Sequence, residues 1–181
     1  MELLNRIDHP TEVVYATLRD RLSELVGYIP DLAELKRVSF ERSSGSGVEI
    51  TSHWRASTPI PAVAESVLPK DLFQWTQVAL WKDDDRSVEY RLHGFGFGAS
   101  GVVHFLSEGG GTVVKATVYV DIQFERFMVP KWVVKKVHPL VEKNVRRVLH
   151  ANMVGLVNGL RSYLSVDAVL DGDFAGCLVP A

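Results

Sequence analysis

Apolar and polar residues change period along this chain, and each change marks an element. Glu2 to His9 alternates, with Leu4 and Arg6 set against Leu3, Asn5 and Ile7, which predicts an edge strand. Asp8-His9-Pro10-Thr11 then punctuates. Proline next to the first helical position and Glu12 in the first turn are helix-start signals. Val13, Val14, Ala16, Thr17, Leu18, Leu22, Leu25 and Val26 keep a helical period to Gly27, and Tyr28-Ile29-Pro30-Asp31 ends it. One helix broken in two around Asp20 is expected.

From Leu35 the period becomes two. Val38 and Phe40 alternate with Arg37, Ser39 and Glu41, and Ser43-Ser44-Gly45-Ser46-Gly47 reverses the chain. Val48, Ile50, Ser52, Trp54 and Ala56 then alternate with Glu49, Thr51, His53 and Arg55, a hairpin with one wet face. Between Ser57 and Asp71, Pro59, Pro61 and Pro69 surround an apolar stretch that reads as a loop with about one or two turns of helix, a candidate lid. Phe73 to Trp81 is rich in β-formers, Asp83-Asp84-Asp85 turns, and Ser87 to His93 returns with Val88, Tyr90 and Leu92 facing in. Gly101 to Ser107 and Thr112 to Phe124 form a last hairpin. There Val114, Ala116, Val118, Val120, Ile122 and Phe124 point inward, against Lys115, Thr117, Tyr119, Asp121 and Gln123.

The helical period comes back between Pro130 and Leu164. Val134, Val141, Val145, Val148, Leu149, Asn152, Met153, Leu156, Gly159, Leu160 and Tyr163 share one side; Lys143, Arg146, Arg147, His150, Asn158 and Arg161 share the other. Either this helix begins near His138 or a first segment kinks at Pro139. Gly155 and Gly159 let it approach the sheet closely or leave room for something bound. Asn152, inside the apolar stripe, is either a core residue tied to a backbone carbonyl or a ligand contact. A meander of strands with helices after the first and last cannot form a parallel βαβ sheet, so the class is α+β. A single domain over residues 1–164 is expected, with Ser165 to Ala181 as a loosely docked or disordered tail.

Composition narrows the function. The chain has 181 residues, 46% hydrophobic and 23% charged, with a net charge of −2. That is ordinary globular composition, with no electrostatic case for nucleic acid or for acidic membranes. Cys177 is the only cysteine, which excludes internal disulfides and a cysteine metal cluster. No signal peptide or transmembrane run is visible, and a cytoplasmic location is the default. Trp132 among Lys131, Lys135 and Lys136 reads as a solvated face with snorkelling lysines, or as a membrane or partner contact.

Candidate chemistry is thin. Gly96, Gly98 and Gly101 spell G-x-G-x-x-G, but a strand follows where a phosphate site needs a helix N-terminus. Gly94, Gly96 and Gly98 instead suggest a bent strand, a bulge or a close backbone approach. The histidines show no metal spacing, so neither a metal nor another cofactor is expected. His53 and His93 fall on exposed sheet positions. His104 is ambiguous, because Val103 and Phe105 compete with Val102 and Leu106 for the core. Pointing inward beside Tyr90, it is an acid/base or a ligand anchor; otherwise it is a buried, satisfied histidine. Trp54 is a cavity wall or plain core.

The order of these pieces resembles the START-related helix-grip superfamily, which includes birch-pollen-allergen-like proteins and polyketide cyclase/dehydrase-type lipid-transport domains. The matching stretches are His9-Pro10-Thr11-Glu12-Val13-Val14-Tyr15, Tyr28-Ile29-Pro30, Glu108-Gly109-Gly110-Gly111-Thr112-Val113-Val114, and Val148 to Leu164. The resemblance covers about residues 1–164. It implies a curved seven-stranded antiparallel sheet with a long C-terminal helix across its concave face. The hollow between them is expected to bind or transport a lipid, sterol, polyketide or aromatic molecule. The lining read from the alternation is Val38, Phe40, Ile50, Trp54, Tyr90, Leu92, Val118, Val120, Met153, Leu156 and Leu160, with Asn152 as a polar contact. A cyclase, dehydratase or hydrolase in the same hollow, using His104, Tyr90 or an inward arginine as acid/base, is the alternative. Two or more polar groups converging inside would separate the two readings, and the alternation places almost none there.

Overall fold

The structure is a computed structural model, and the residues described below are 2–29, 32–42, 47–56, 74–94, 97–122, 147 and 150–165. The candidate lid, the start of the C-terminal helix with Pro139 and Trp132, and the tail with Cys177 lie outside them.

Seven strands form one antiparallel sheet: β1 (Glu2–Ile7), β2 (Leu32–Arg42), β3 (Gly47–Ala56), β4 (Gln74–Lys82), β5 (Ser87–Gly94), β6 (Phe97–Glu108) and β7 (Gly111–Ile122). Their order is β1-β7-β6-β5-β4-β3-β2, so consecutive strands from β2 to β7 are neighbours and β1 and β2 form the edges. Gly109 and Gly110 have φ of 57° and 80°, which explains glycine at the β6–β7 turn. The inner face carries Val48, Ile50 and Ser52 on β3, Val88, Tyr90 and Leu92 on β5, and Val114, Ala116 and Val118 on β7, all buried as the alternation predicts.

Between the edge strands runs the broken helix. The helix α1 (Thr11–Asp20) starts after Pro10, whose carbonyl accepts from the Val14 amide at 3.1 Å. A 3₁₀ segment (Leu22–Tyr28) follows. The break at Asp20–Arg21 is held by Arg37 of β2, whose guanidinium donates to the carbonyls of Arg19 and Asp20, each at 2.8 Å. A cation on those orphan carbonyls satisfies them and complements the helix dipole.

That contact overturns the reading of β2. Arg37 turns inward, and the pairing with β3 shifts between Arg37 and Ser39. This is a β-bulge, which breaks a strict period of two. Val38 is 53% exposed and Phe40 47% exposed, not the interior positions expected. Phe40 still pairs with Ile50, but on an edge strand, with the Arg37 guanidinium 5.6 Å from its ring centre.

The described part of the C-terminal helix, α2 (150–165), buries Val157, Leu160 and Leu164 in the core. Its end is fastened to the 3₁₀ segment. Tyr163 donates to Glu24 at 2.5 Å, accepts from Arg21 at 3.1 Å, and meets the Tyr28 ring edge-on at 6.1 Å. A Cβ on Gly159 would stand 3.0 Å from the Tyr28 Cβ. The glycine therefore admits the 3₁₀ segment, not the sheet.

Candidate functional site

Two aromatic groups divide the inner face of the sheet. Toward one end Tyr15 of α1 meets Trp81 and Phe105 edge-on, with ring centres 5.3 and 5.4 Å away. The guanidiniums of Arg19 and Arg86 stand over the Tyr15 ring at 5.7 and 5.3 Å. Arg19 donates to Asp83 at 2.7 Å and Arg86 pairs with Glu12 at 2.6 Å. Arg86 holds a left-handed φ of 49° in the β4–β5 turn, so the turn itself is shaped to clamp α1. At the other end, about 20 Å along β4 by strand rise, Trp54 stacks on Trp75 at 5.9 Å and Phe97 meets Trp75 at 6.5 Å.

A cavity of about 10 Å³ lies where α1 and the 3₁₀ segment meet β2, β3 and β4. Leu18, Leu22, Leu35, Ile50, Ala79 and Trp81 line it together with Arg19, Arg37, Ser52 and Gln77. That is the size of a single-water site. Arg37 and Gln77 are thus inner-face groups that the sequence reading missed. The Trp75, Gln77, Ala79, Trp81 alternation was the available signal for Gln77. For Arg37 no local signal exists, since its direction follows from the bulge.

The other expected site residues divide clearly. Ile50, Trp54, Tyr90, Leu92, Val118 and Val120 lie on the inner face, and Met153 and Leu156 of α2 pack against the same core. Leu160 is wholly buried. His104 is not with them. Val103 and Phe105 take the inner positions of β6, so His104 points outward and is exposed, opposite the face that holds Tyr90. An acid/base pair of His104 and Tyr90 is therefore ruled out by the pleat. Gly98 and Gly101 lie within β6, which turns directly into β7 with no helix between them.

Tyr90 lies across Gly101, its partner in the β5–β6 register; a Cβ there would be 2.6 Å from the Tyr90 hydroxyl. Burial alone pushes this phenol from 10.0 up to about 12. The folded value lies above the unfolded one, so the stabilisation is whole below about pH 10 and is lost as pH rises toward the folded value. On the order of 2–3 kcal/mol is expected to disappear across that window, and Tyr90→Phe is expected to abolish that part of the loss. Urea unfolding at stepped alkaline pH reads it; parallel curves for wild type and variant would contradict the assignment.

Several buried polar atoms have no hydrogen-bond partner: Tyr15 Oη, Arg86 Nε, Trp54 Nε1, and both Oδ1 and Nδ2 of Asn152. The first two belong to the α1 clamp, where the Asp83 carboxylate lies near Tyr15 without completing a bond. Asn152 is not tied to a backbone carbonyl. Among the described residues no group of His, Cys, Asp or Glu is placed to hold a metal, and no helix is long and apolar enough to cross a membrane.

No family model matches the chain, and no curated protein matches its sequence. Solved structures do match its shape. TTHA0849 from Thermus thermophilus superposes with a TM-score of 0.64 at 22% identity, over 90% of this chain and 97% of that one. The di-domain ARO/CYC StfQ from the steffimycin biosynthetic pathway gives 0.63 at 18%, over 93% of this chain but 51% of that one, so this chain spans about half its length. Norcoclaurine synthase from Thalictrum flavum gives 0.53 at 11%, over 91% and 84%. With the strand order, the broken helix and the terminal helix, these likenesses show that the chain has the helix-grip fold.

Proposed function

We propose that this domain binds a hydrophobic small molecule between the inner face of its sheet and the C-terminal helix. The observation that carries the reading is the aromatic row Trp54, Trp75 and Phe97. It lies at the end of the inner face away from Tyr15 and continues into Leu92 and Val120. Burying the ligand's own apolar surface against this row drives association at about 25 cal/mol per Å² removed from water. A concave, mostly apolar site with few polar groups is the general form of a small-molecule pocket. Solved neighbours of the same fold are consistent with it: norcoclaurine synthase has been crystallised with dopamine and hydroxybenzaldehyde.

A second reading, a cyclase, dehydratase or hydrolase, draws on the convergence of Arg37, Ser52 and Gln77 at the small cavity. Among the described residues that line this cavity, none is a proton acceptor. Arginine stays charged, serine and glutamine do not titrate near neutrality, and the raised Tyr90 phenol keeps its proton. Binding is the better supported role.

Native mass spectrometry of freshly purified protein tests it. A retained apolar adduct, or a mass shift on adding palmitate or naphthalene, is the expected result. Bare protein that takes up neither would remove the proposal.

A further inference from the structure

The sheet is open, and its two edges differ. β2 is blunted by register shifts between Leu32 and Glu34 and between Arg37 and Ser39. β1 pairs with β7 without a shift, from Glu2 opposite Thr117 to Ile7 opposite Thr112. Among the described residues no strand covers its other side. A Cβ on Gly111 would stand 2.8 Å from the Ile7 carbonyl oxygen, so that carbonyl faces β7. Arg161 of α2 donates to the carbonyl of Arg6, one residue back, which faces the open edge. Backbone directions alternate along a strand, so Glu2, Leu4 and Arg6 present their amides and carbonyls to that edge. Their side chains share the outer face: Leu4 stands opposite Lys115 and is 70% exposed, while Leu3 and Ile7 turn into the core.

Antiparallel pairing of β1 with itself about Leu4 uses all of these features at once. Leu4 of one copy meets Leu4 of the other, Glu2 meets Arg6, and Arg6 meets Glu2. The three edge-facing residues are then the ones that exchange hydrogen bonds across the pair. Two leucines standing in water cover each other, and opposite charges face each other on both sides. A slip of one residue would set edge-facing groups against groups committed to β7. We infer that β1 is the docking edge for a second copy of this chain, in a two-fold dimer whose sheets run on into each other through Leu4. The contacts Arg6 already makes leave room for this. Its guanidinium reaches Asp8 at 3.3 Å, an exposed pair of small worth, and its carbonyl keeps a second lone pair beside Arg161. Each copy contributes one six-residue strand, so the dimer is expected to be weak and reversible.

Sedimentation velocity of the full chain, from micromolar to millimolar concentration, tests it. Wild type is expected to pass from monomer to dimer across that range. Glu2→Lys and Arg6→Glu, each alone, are expected to weaken association at least about fivefold, because the two-fold axis counts each like-charge contact twice. An equimolar mixture of the two variants is expected to return to within about twofold of wild type, since both cross-strand pairs are again opposite in charge. Leu4→Pro is expected to abolish dimers and keep the fold, because the amide it removes faces the edge and not β7. Circular dichroism of each variant tells loss of fold from loss of pairing. A monomer at every concentration would overturn the inference and leave the edge to a strand of another protein. Dimers that the charge reversals or Leu4→Pro leave unchanged would overturn it too, as would a mixture that associates no better than its components.

Discussion

Tyr15→Ala is expected to destabilise the domain by about 3–5 kcal/mol, the range for deleting a buried aromatic ring. Tyr15→Phe is expected to be neutral or slightly stabilising. The ring is 2% exposed and touches Trp81, Phe105 and two guanidiniums, so the alanine leaves a cavity under α1 and strands Arg19 and Arg86. The hydroxyl, by contrast, is buried without a hydrogen bond. Burial first, and the nearby Asp83 second, hold it well above the ordinary tyrosine range, so it is present only as the neutral phenol. Removing an unbonded hydroxyl costs little. Urea unfolding of both variants separates the two contributions. A phenylalanine variant as unstable as the alanine one would mean that the hydroxyl, not the ring, holds α1 to the sheet.

The second large effect is expected at Gly101. A Cβ there would lie 2.2 Å from the Thr117 carbonyl oxygen and 2.6 Å from the Tyr90 hydroxyl. Tyr90 can swing only by leaving the interior, and the carbonyl belongs to β7, the neighbouring strand, so neither neighbour yields cheaply. Gly101→Ala is expected to cost about 3 kcal/mol, at the upper end of overpacking effects. The same denaturation experiment reads it, and a loss below about 1 kcal/mol would mean that the β6–β7 pairing is looser than the register indicates. The double variant Gly101→Ala with Tyr90→Phe is expected to recover only part of the loss, because the carbonyl contact remains.

Much of this fold was legible in the order of elements. Wherever a strand lies in the middle of the sheet with one face buried, as in β3, β5 and β7, a slip of one residue would turn its whole apolar set to water. The alternation of Val48, Ile50 and Trp54, or of Val114, Ala116 and Val118, therefore names its face without help. The broken helix was equally readable, from Pro10, Glu12 and the apolar run to Val26. Two strands were not. In β6, Val102, Val103, Phe105 and Leu106 offer two apolar registers, and the pairing of Val103 with Val88 and Ala116 decides between them. With that choice His104 goes outside. In β2, the bulge after Arg37 moves Val38 out, and the guanidinium that turns inward there is held by carbonyls of a separate helix.

The candidate site follows the same division. Trp54, Tyr90, Leu92 and Val118 were placed by alternation alone. Gln77 was readable but overlooked. The unpaired state of Asn152 could not be read, because whether an amide finds a partner depends on what packs against its helix.

By itself, the sequence determined the class, the order of the elements and the buried face of each central strand, because period and pleat tie neighbouring residues together. Only the tertiary structure decided the direction of Arg37, Val38 and His104, the contact of Gly159 with Tyr28, and which buried polar atoms lack a partner. These depend on groups far apart in the chain, and no local period encodes a contact made across the fold.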